Sequence, residues 1–230
     1  MFTPEQIMGL CILAPIAGSV LVLPNIRILQ KTIVVISAVL LTCGAFLAYI
    51  GGPVTSDPDF GVLPDPHLIV AFLDFILLFL ILYIGIKRRN ILISVLTVLQ
   101  NVVLAVVESI PGAPGQGTAL FADQFSLMMV LIVSVVGSLI SLYAVEYMRK
   151  HEKHLGLEKS RQGRFFFYVL LFLGVMNGLV LSNDLLWFYF FWEVTTFCSF
   201  ALIGHDDTDE ARANSEKALW MNLLGGLAFV

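Results

Sequence analysis

The chain has 230 residues, 58% of them hydrophobic and only 13% charged, with a mean hydropathy of +0.91. Soluble domains carry about a quarter charged residues, so this deficit and the repeated long apolar runs exclude an ordinary soluble fold and predict a polytopic all-α membrane protein. The net charge of −4 says little, because the placement of charge decides more than its sum, and no nucleic-acid partner is expected.

The apolar runs are continuous rather than alternating, which argues against a transmembrane barrel. Taken in order, segment one runs from about Gln6 to Leu23 and stops at Pro24. Segment two covers about Thr32 to Ile50, and the turn-rich loop GGPVTSDPDFGVLPDP follows it. Segment three is about His67 to Ile86, closed by Lys87, Arg88 and Arg89. Segment four is about Ile91 to Val107, ahead of the turn-rich SIPGAPGQG. Segment five is about Phe125 to Met148 and leads into a charged loop from Arg149 to Arg164. Segment six is about Phe165 to Leu181, segment seven is Asp184 to Gly204, and segment eight begins near Ala218. The expectation is about seven complete helices and a truncated eighth, a chain incomplete at its C-terminus. Residues 1–118 would supply helices one to four, and 119–230 the start of an ion-translocating bundle. The N-terminus MFTPEQ lacks a basic region, so the first run reads as a retained helix.

Charge placement gives an orientation. All thirteen Lys and Arg residues fall on alternate loops. The other loops hold Glu5, Asp57, Asp59, Asp65, Asp123 and Asp184. The positive-inside rule then puts the N-terminus outside and the basic loops in the cytoplasm. Cys11, Cys43 and Cys198 sit inside apolar segments without CxxC spacing and read as buried small hydrophobes.

Glu193 stands near the middle of segment seven, within NDLLWFYFFWEVTTFCSFALIG. A charge at the bilayer centre costs roughly 2.5–3.5 kcal/mol on insertion scales. A carboxyl kept at that cost fits a proton relay, in which protonation follows the movement of a neighbouring charge. The alternative is a carboxyl that packs helices, with Thr195, Thr196 and Ser199 as polar neighbours. Lys217, read at the cytoplasmic mouth of segment eight, is a relay or input group, or a snorkelling lysine. Asn177 is a mid-membrane amide that bonds across helices, or holds water near Glu193 if segments six and seven form a hairpin. Asp184 and Asn183 suit the cap of segment seven. Asp74 reads as structural, reaching the interface or pairing with Gln100 or Asn101. Glu146, beside Arg149 and Lys150, suits an interfacial ion pair. The acidic run HDDTDEARANSE reads as a solvated loop, or as a proton-collecting entrance with His205 at its mouth. No nucleotide, iron–sulfur or nickel motif is present, so this chain is expected to hold no cofactor or metal.

The stretch FFWEVTTFCSFALIGHD resembles the fifth-helix motif of antiporter-like proteins of complex I, Mrp cation/proton antiporters and membrane-bound energy-converting hydrogenases. Trp192, Glu193, Ser199, Leu202, Ile203 and Gly204 match it. FADQFSLMMVLIVSVVGSLISLYAVEYM is similar to the family's third helix, and RFFFYVLLFLGVMNGLVLSNDLLWFYFFWE to its next hairpin. SEKALWMNLLGGLAFV resembles the start of the sixth helix, with Lys217 at a recurring basic position. The resemblance covers about residues 121 to 230. It implies two inverted bundles with a broken helix in each, moving protons or Na⁺. It also implies that Glu193 pairs with a seventh-helix lysine beyond this chain.

The wording of EVTTFCSF and MNLLGGLA leans toward the hydrogenase branch. That branch implies a non-catalytic translocating subunit of a multi-pass respiratory complex in a prokaryotic plasma membrane. Its partners would be other membrane subunits and a peripheral redox arm holding iron–sulfur clusters and a NiFe centre, coupled to ferredoxin. An Mrp-type Na⁺/H⁺ antiporter, a complex I NADH–quinone oxidoreductase subunit and a structural membrane anchor remain alternatives. Segments three and four look like an additional pair ahead of the family's third helix, and the Arg149–Arg164 loop is longer than a compact hairpin needs.

Overall fold

The computed structural model describes residues 3–24, 26–56, 66–109, 119–156 and 160–228. The parts of GGPVTSDPDFGVLPDP and SIPGAPGQG at 57–65 and 110–118 lie outside the described residues, as do the carboxyls of Asp57, Asp59 and Asp65. The described chain forms α1 (Pro4–Leu21), α2 (Arg27–Gly51), β1 (Val54–Ser56), α3 (Pro66–Lys87), α4 (Ile91–Ser109) and β2 (Leu120–Ala122). Then come α5 (Gln124–His154), α6 (Gln162–Leu181), α7 (Leu185–Ile203) and α8 (Asp209–Leu227). This is the polytopic helical bundle that the composition predicts. Six of the helices are long and apolar enough to cross a membrane, and α4 has a shorter apolar stretch, Ile91–Val107.

Three expectations need correction. The eighth helix starts at Asp209, not near Ala218, so most of the acidic run is helix rather than loop. Thr208 caps it by accepting from the Ala211 N–H, and Asp209 and Glu210 in the first turn oppose the helix dipole's positive end. The charged loop after segment five is also shorter, because α5 continues to His154 and α6 begins at Gln162. Glu152 orders this crossing. Its carboxylate, 8% exposed, accepts from the Arg161 N–H at 2.6 Å, Gln162 Nε2 at 2.7 Å and Ser160 Oγ at 2.9 Å. Lastly, Cys43 is exposed, whereas Cys11 and Cys198 are buried as expected.

The helices group into two compact units, each made from two separate stretches of chain. Unit 1 takes Met1–Thr55 and Phe121–Leu181; unit 2 takes Ser56–Leu120 and Ser182–Val230. These units do not follow the linear division at 118/119. The strands β1 and β2, paired in a two-stranded sheet, mark the chain positions where the units divide.

Unit 1 packs α1 with α2 and α6, and α5 with α2 and α6, around Val22, Ile33, Val34, Ala144, Phe166 and Leu170. Lipid tails are as apolar as leucine, so such helices associate through close packing and buried hydrogen bonds more than through the hydrophobic effect. Both devices appear around Pro15 of α1. Proline lacks an N–H, which leaves the Cys11 carbonyl, four residues earlier, without its helical donor. Asn177 Nδ2 of α6 donates to that carbonyl at 3.1 Å and to Ser134 Oγ of α5 at 3.2 Å. One turn away, Gly174 lets α6 approach α1 so closely that a Cβ there would lie 2.7 Å from the Ile12 carbonyl oxygen. The expected ion pair of Glu146 with Arg149 is present on the exposed surface of α5.

Unit 2 packs α3 against α4 and α7, and α8 against α4 and α7. Ile81, Ile93, Leu96, Leu219 and Leu223 form one apolar cluster, and Leu78, Leu104 and Tyr189 another. Asn90 Nδ2, just ahead of α4, donates to Glu216 Oε2 of α8 at 3.1 Å. The α7 entrance is held by Asn183, whose N–H donates to the Ala119 carbonyl at 3.0 Å.

Candidate functional site

The candidate site lies inside unit 2, on α7. Asp184 positions this helix as its sequence predicted. One carboxylate oxygen accepts from the Leu186 N–H at 2.9 Å and the Trp187 N–H at 3.3 Å, covering donors that a helix start leaves open. Asp184→Ala is expected to cost about 0.5–2 kcal/mol. Thermal unfolding in detergent should show this, with amide exchange quickened most in the first turn of α7.

Two turns further on, Glu193 is fully buried. Gln100 of α4 is equally buried, and its Nε2 donates to Glu193 Oε1 at 3.1 Å and to the Leu223 carbonyl of α8 at 3.0 Å. One amide therefore ties α4, α7 and α8 together at the level of the carboxyl. Gly226 of α8 gives the room. A Cβ there would lie 2.6 Å from Glu193 Oε1 and 2.7 Å from Gln100 Nε2. Tyr189, four residues before Glu193 and so on the same face of α7, is 2% exposed. Asp74 of α3 is fully buried and acts electrostatically on both Glu193 and Tyr189.

Titratable and polar groups are thus gathered in a small cluster within an apolar bundle. The Tyr189 hydroxyl lies against the Glu193 carboxyl as a hydrogen-bond partner, and Gln100 Oε1 is buried without one among the described residues. Such a group costs about 1–3 kcal/mol. A group left in this way calls for a reason, such as exchange of a proton, an ion or water. Among the described residues no cluster of three His, Cys, Asp or Glu side chains is disposed to hold a metal ion. What the arrangement can do is hold and release a proton at Glu193, within an amide and hydroxyl frame, and bind small hydrated species by oxygen.

The remaining sequence-predicted residues fall as follows. Thr196 is buried on α7, and Thr195 and Ser199 bond their own helix, donating to the Trp192 and Thr195 carbonyls at 2.7 and 2.9 Å. His205 is buried where α7 turns toward α8. Asn177 belongs to unit 1 and engages Cys11 and Ser134, while Glu193 belongs to unit 2. The segments read as a hairpin, α6 and α7, likewise fall in different units. Lys217 is in the middle of α8 rather than at its mouth, because the helix begins at Asp209. It is exposed, on the face that carries Met221 and Leu224, while Ser215, Leu219, Leu223 and Gly226 point inward. Sequence reasoning missed Gln100 as a partner of Glu193. The available signal was the pair of polar residues, Asp74 and Gln100, in otherwise apolar runs.

Part of the chain is similar in sequence to known proteins. Residues 117–166 match the family described as NADH-ubiquinone oxidoreductase (complex I), chain 5 N-terminus. That match ends in α6, ahead of Glu193. Over 117 residues the chain is 36% identical to the Na(+)/H(+) antiporter subunit A1 of Staphylococcus haemolyticus (strain JCSC1435). It is equally similar, over the same length, to the subunit A1 of Staphylococcus aureus (strain bovine RF122 / ET3-1). In both cases the alignment covers 50% of this chain and 14% of the relative. The resemblance to antiporter-like membrane subunits of the complex I and Mrp superfamily is borne out.

Proposed function

We propose that the protein is an ion-translocating, antiporter-like subunit of a multi-subunit complex in a prokaryotic plasma membrane, with Glu193 as its proton relay. The observation that carries this reading is a fully buried carboxyl held by Gln100 and given room by Gly226. Na⁺/H⁺ exchange is the activity supported by the relatives, which are antiporter subunits. The residues would act simply. Glu193 takes up and releases the proton, Gln100 fixes one of its oxygens, and the apolar clusters of unit 2 keep bulk water from short-circuiting the exchange. Lys217, exposed on α8, would serve as an input group or as the docking point of a further helix. His205 and the Asp184 cap would then mark the two ends of the α7 path.

A second reading comes from the EVTTFCSF and MNLLGGLA wording. It couples the same relay to a ferredoxin-linked hydrogenase, whose iron–sulfur clusters and NiFe centre would sit in partner subunits. Everted membrane vesicles carrying the protein with its native neighbours separate the two. With an acid interior imposed and no electron donor, added Na⁺ should raise the internal pH if exchange is gradient-driven. Proton movement only on addition of reduced ferredoxin would favour the hydrogenase reading. No ion movement under either condition would leave a structural anchor.

A further inference from the structure

We propose that Asp74 is a second proton-exchanging carboxyl of the Glu193 site, the two acting as one titrating pair with Tyr189 within reach of both. The proposal deepens the relay reading and rests on it.

Packing brings the groups together. The helix α3 packs on α7. Leu78, one turn from Asp74, shares an apolar cluster with Tyr189, which is one turn from Glu193. Both carboxyls are fully buried, Tyr189 is 2% exposed, and Asp74 acts electrostatically on Tyr189 and Glu193 alike. The Tyr189 hydroxyl lies against the Glu193 carboxyl as a hydrogen-bond partner on the same face of α7, and Gln100 Oε1 beside them is buried without a hydrogen-bond partner among the described residues.

Other charged and titratable side chains lie on the elements packed around α7. From α3, Tyr83 and Lys87 lie toward its basic C-terminal end, where Lys87 sits over the Tyr83 ring. From α8, Glu216 is bonded to Asn90, and Lys217 is exposed. The helix α7 itself adds the buried Cys198, and His205 follows its end. Gln100, from α4, supplies an uncharged amide.

Two carboxyls that interact across a low-dielectric site titrate in two macroscopic steps that belong to neither residue alone. A proton released by one carboxyl and taken up by the other leaves the charge of the pair unchanged. The Tyr189 hydroxyl can pass it by donating its own proton to one oxygen while accepting from the other. Such a pair lets the proton shift between α3 and α7 without crossing to solvent.

Infrared titration of the full-length protein in lipid nanodiscs tests this, following the carbonyl stretch of protonated buried carboxyls. Wild type should show two steps. Asp74→Asn and Glu193→Gln should each leave one, displaced from both wild-type midpoints by about one pH unit or more. An Asp74→Asn protein whose remaining step keeps a wild-type midpoint overturns the proposal. If Asp74→Asn does not accumulate, Asp74→Glu is titrated instead. It should change the separation of the two steps, and an unchanged separation overturns the pairing. Ion exchange that survives Glu193→Gln would remove the relay reading whether or not the carboxyls are coupled.

Discussion

Replacing Gly226 by Ala is expected to destabilise the protein and to lower the proposed ion exchange sharply, although Ala is the better helix former. Three terms decide the sign. Ala in place of Gly in a helix interior gains about 1 kcal/mol. Against this, the new methyl meets Glu193 Oε1 at 2.6 Å and Gln100 Nε2 at 2.7 Å, so one of them must move. Overpacking of this kind costs about 1–3 kcal/mol. The broken Gln100–Glu193 bond leaves buried polar groups open, at about 1–3 kcal/mol more. The net is a loss on the order of 1–5 kcal/mol, read as a lower unfolding temperature in detergent. Both displaced atoms are the ends of flexible side chains, so the bundle is expected to fold still, with the damage centred on the proposed Glu193 relay. Gly225→Ala is the matched control. Its methyl would meet only Trp192 Cζ2 at 3.5 Å, an ordinary contact. That variant should be stabilised by about 1 kcal/mol and keep its transport.

Glu193→Gln separates function from folding in the opposite sense. The amide has the shape of the carboxyl and still offers an oxygen to Gln100 Nε2. It also removes a group whose charge costs roughly 2.5–3.5 kcal/mol at the bilayer centre. The variant is therefore expected to accumulate in the membrane at wild-type level or above, and to unfold at an equal or higher temperature. Ion exchange is expected to fall to the level of vesicles without the protein. A structural carboxyl would give the reverse, with stability lost and transport following it.

The parts of this site that were legible in the sequence are the local ones. The depth of Glu193 follows from counting along an apolar run. Asp184 announces its cap because an Asp before such a run can accept from open N–H groups. The start of α8 was present in the same form, as Thr208 followed by Asp209 and Glu210. It was hidden because the helix is polar through its first turns and carries no apolar stripe there. The Glu193–Gln100 bond spans 93 residues of chain and depends on which helices pack, which hydropathy does not encode. Pro15 similarly says that the Cys11 carbonyl needs a donor, but only packing shows that Asn177 supplies it. Division into units is hidden for the same reason. The pair α3 and α4 looked like an addition ahead of the resembling region, yet it builds half of the bundle that houses Glu193.

The most direct test is Na⁺-driven pH change in everted vesicles carrying wild type or Glu193→Gln at matched protein levels. The relay account predicts exchange in wild type and background flux in the variant. Equal rates in the two would contradict it.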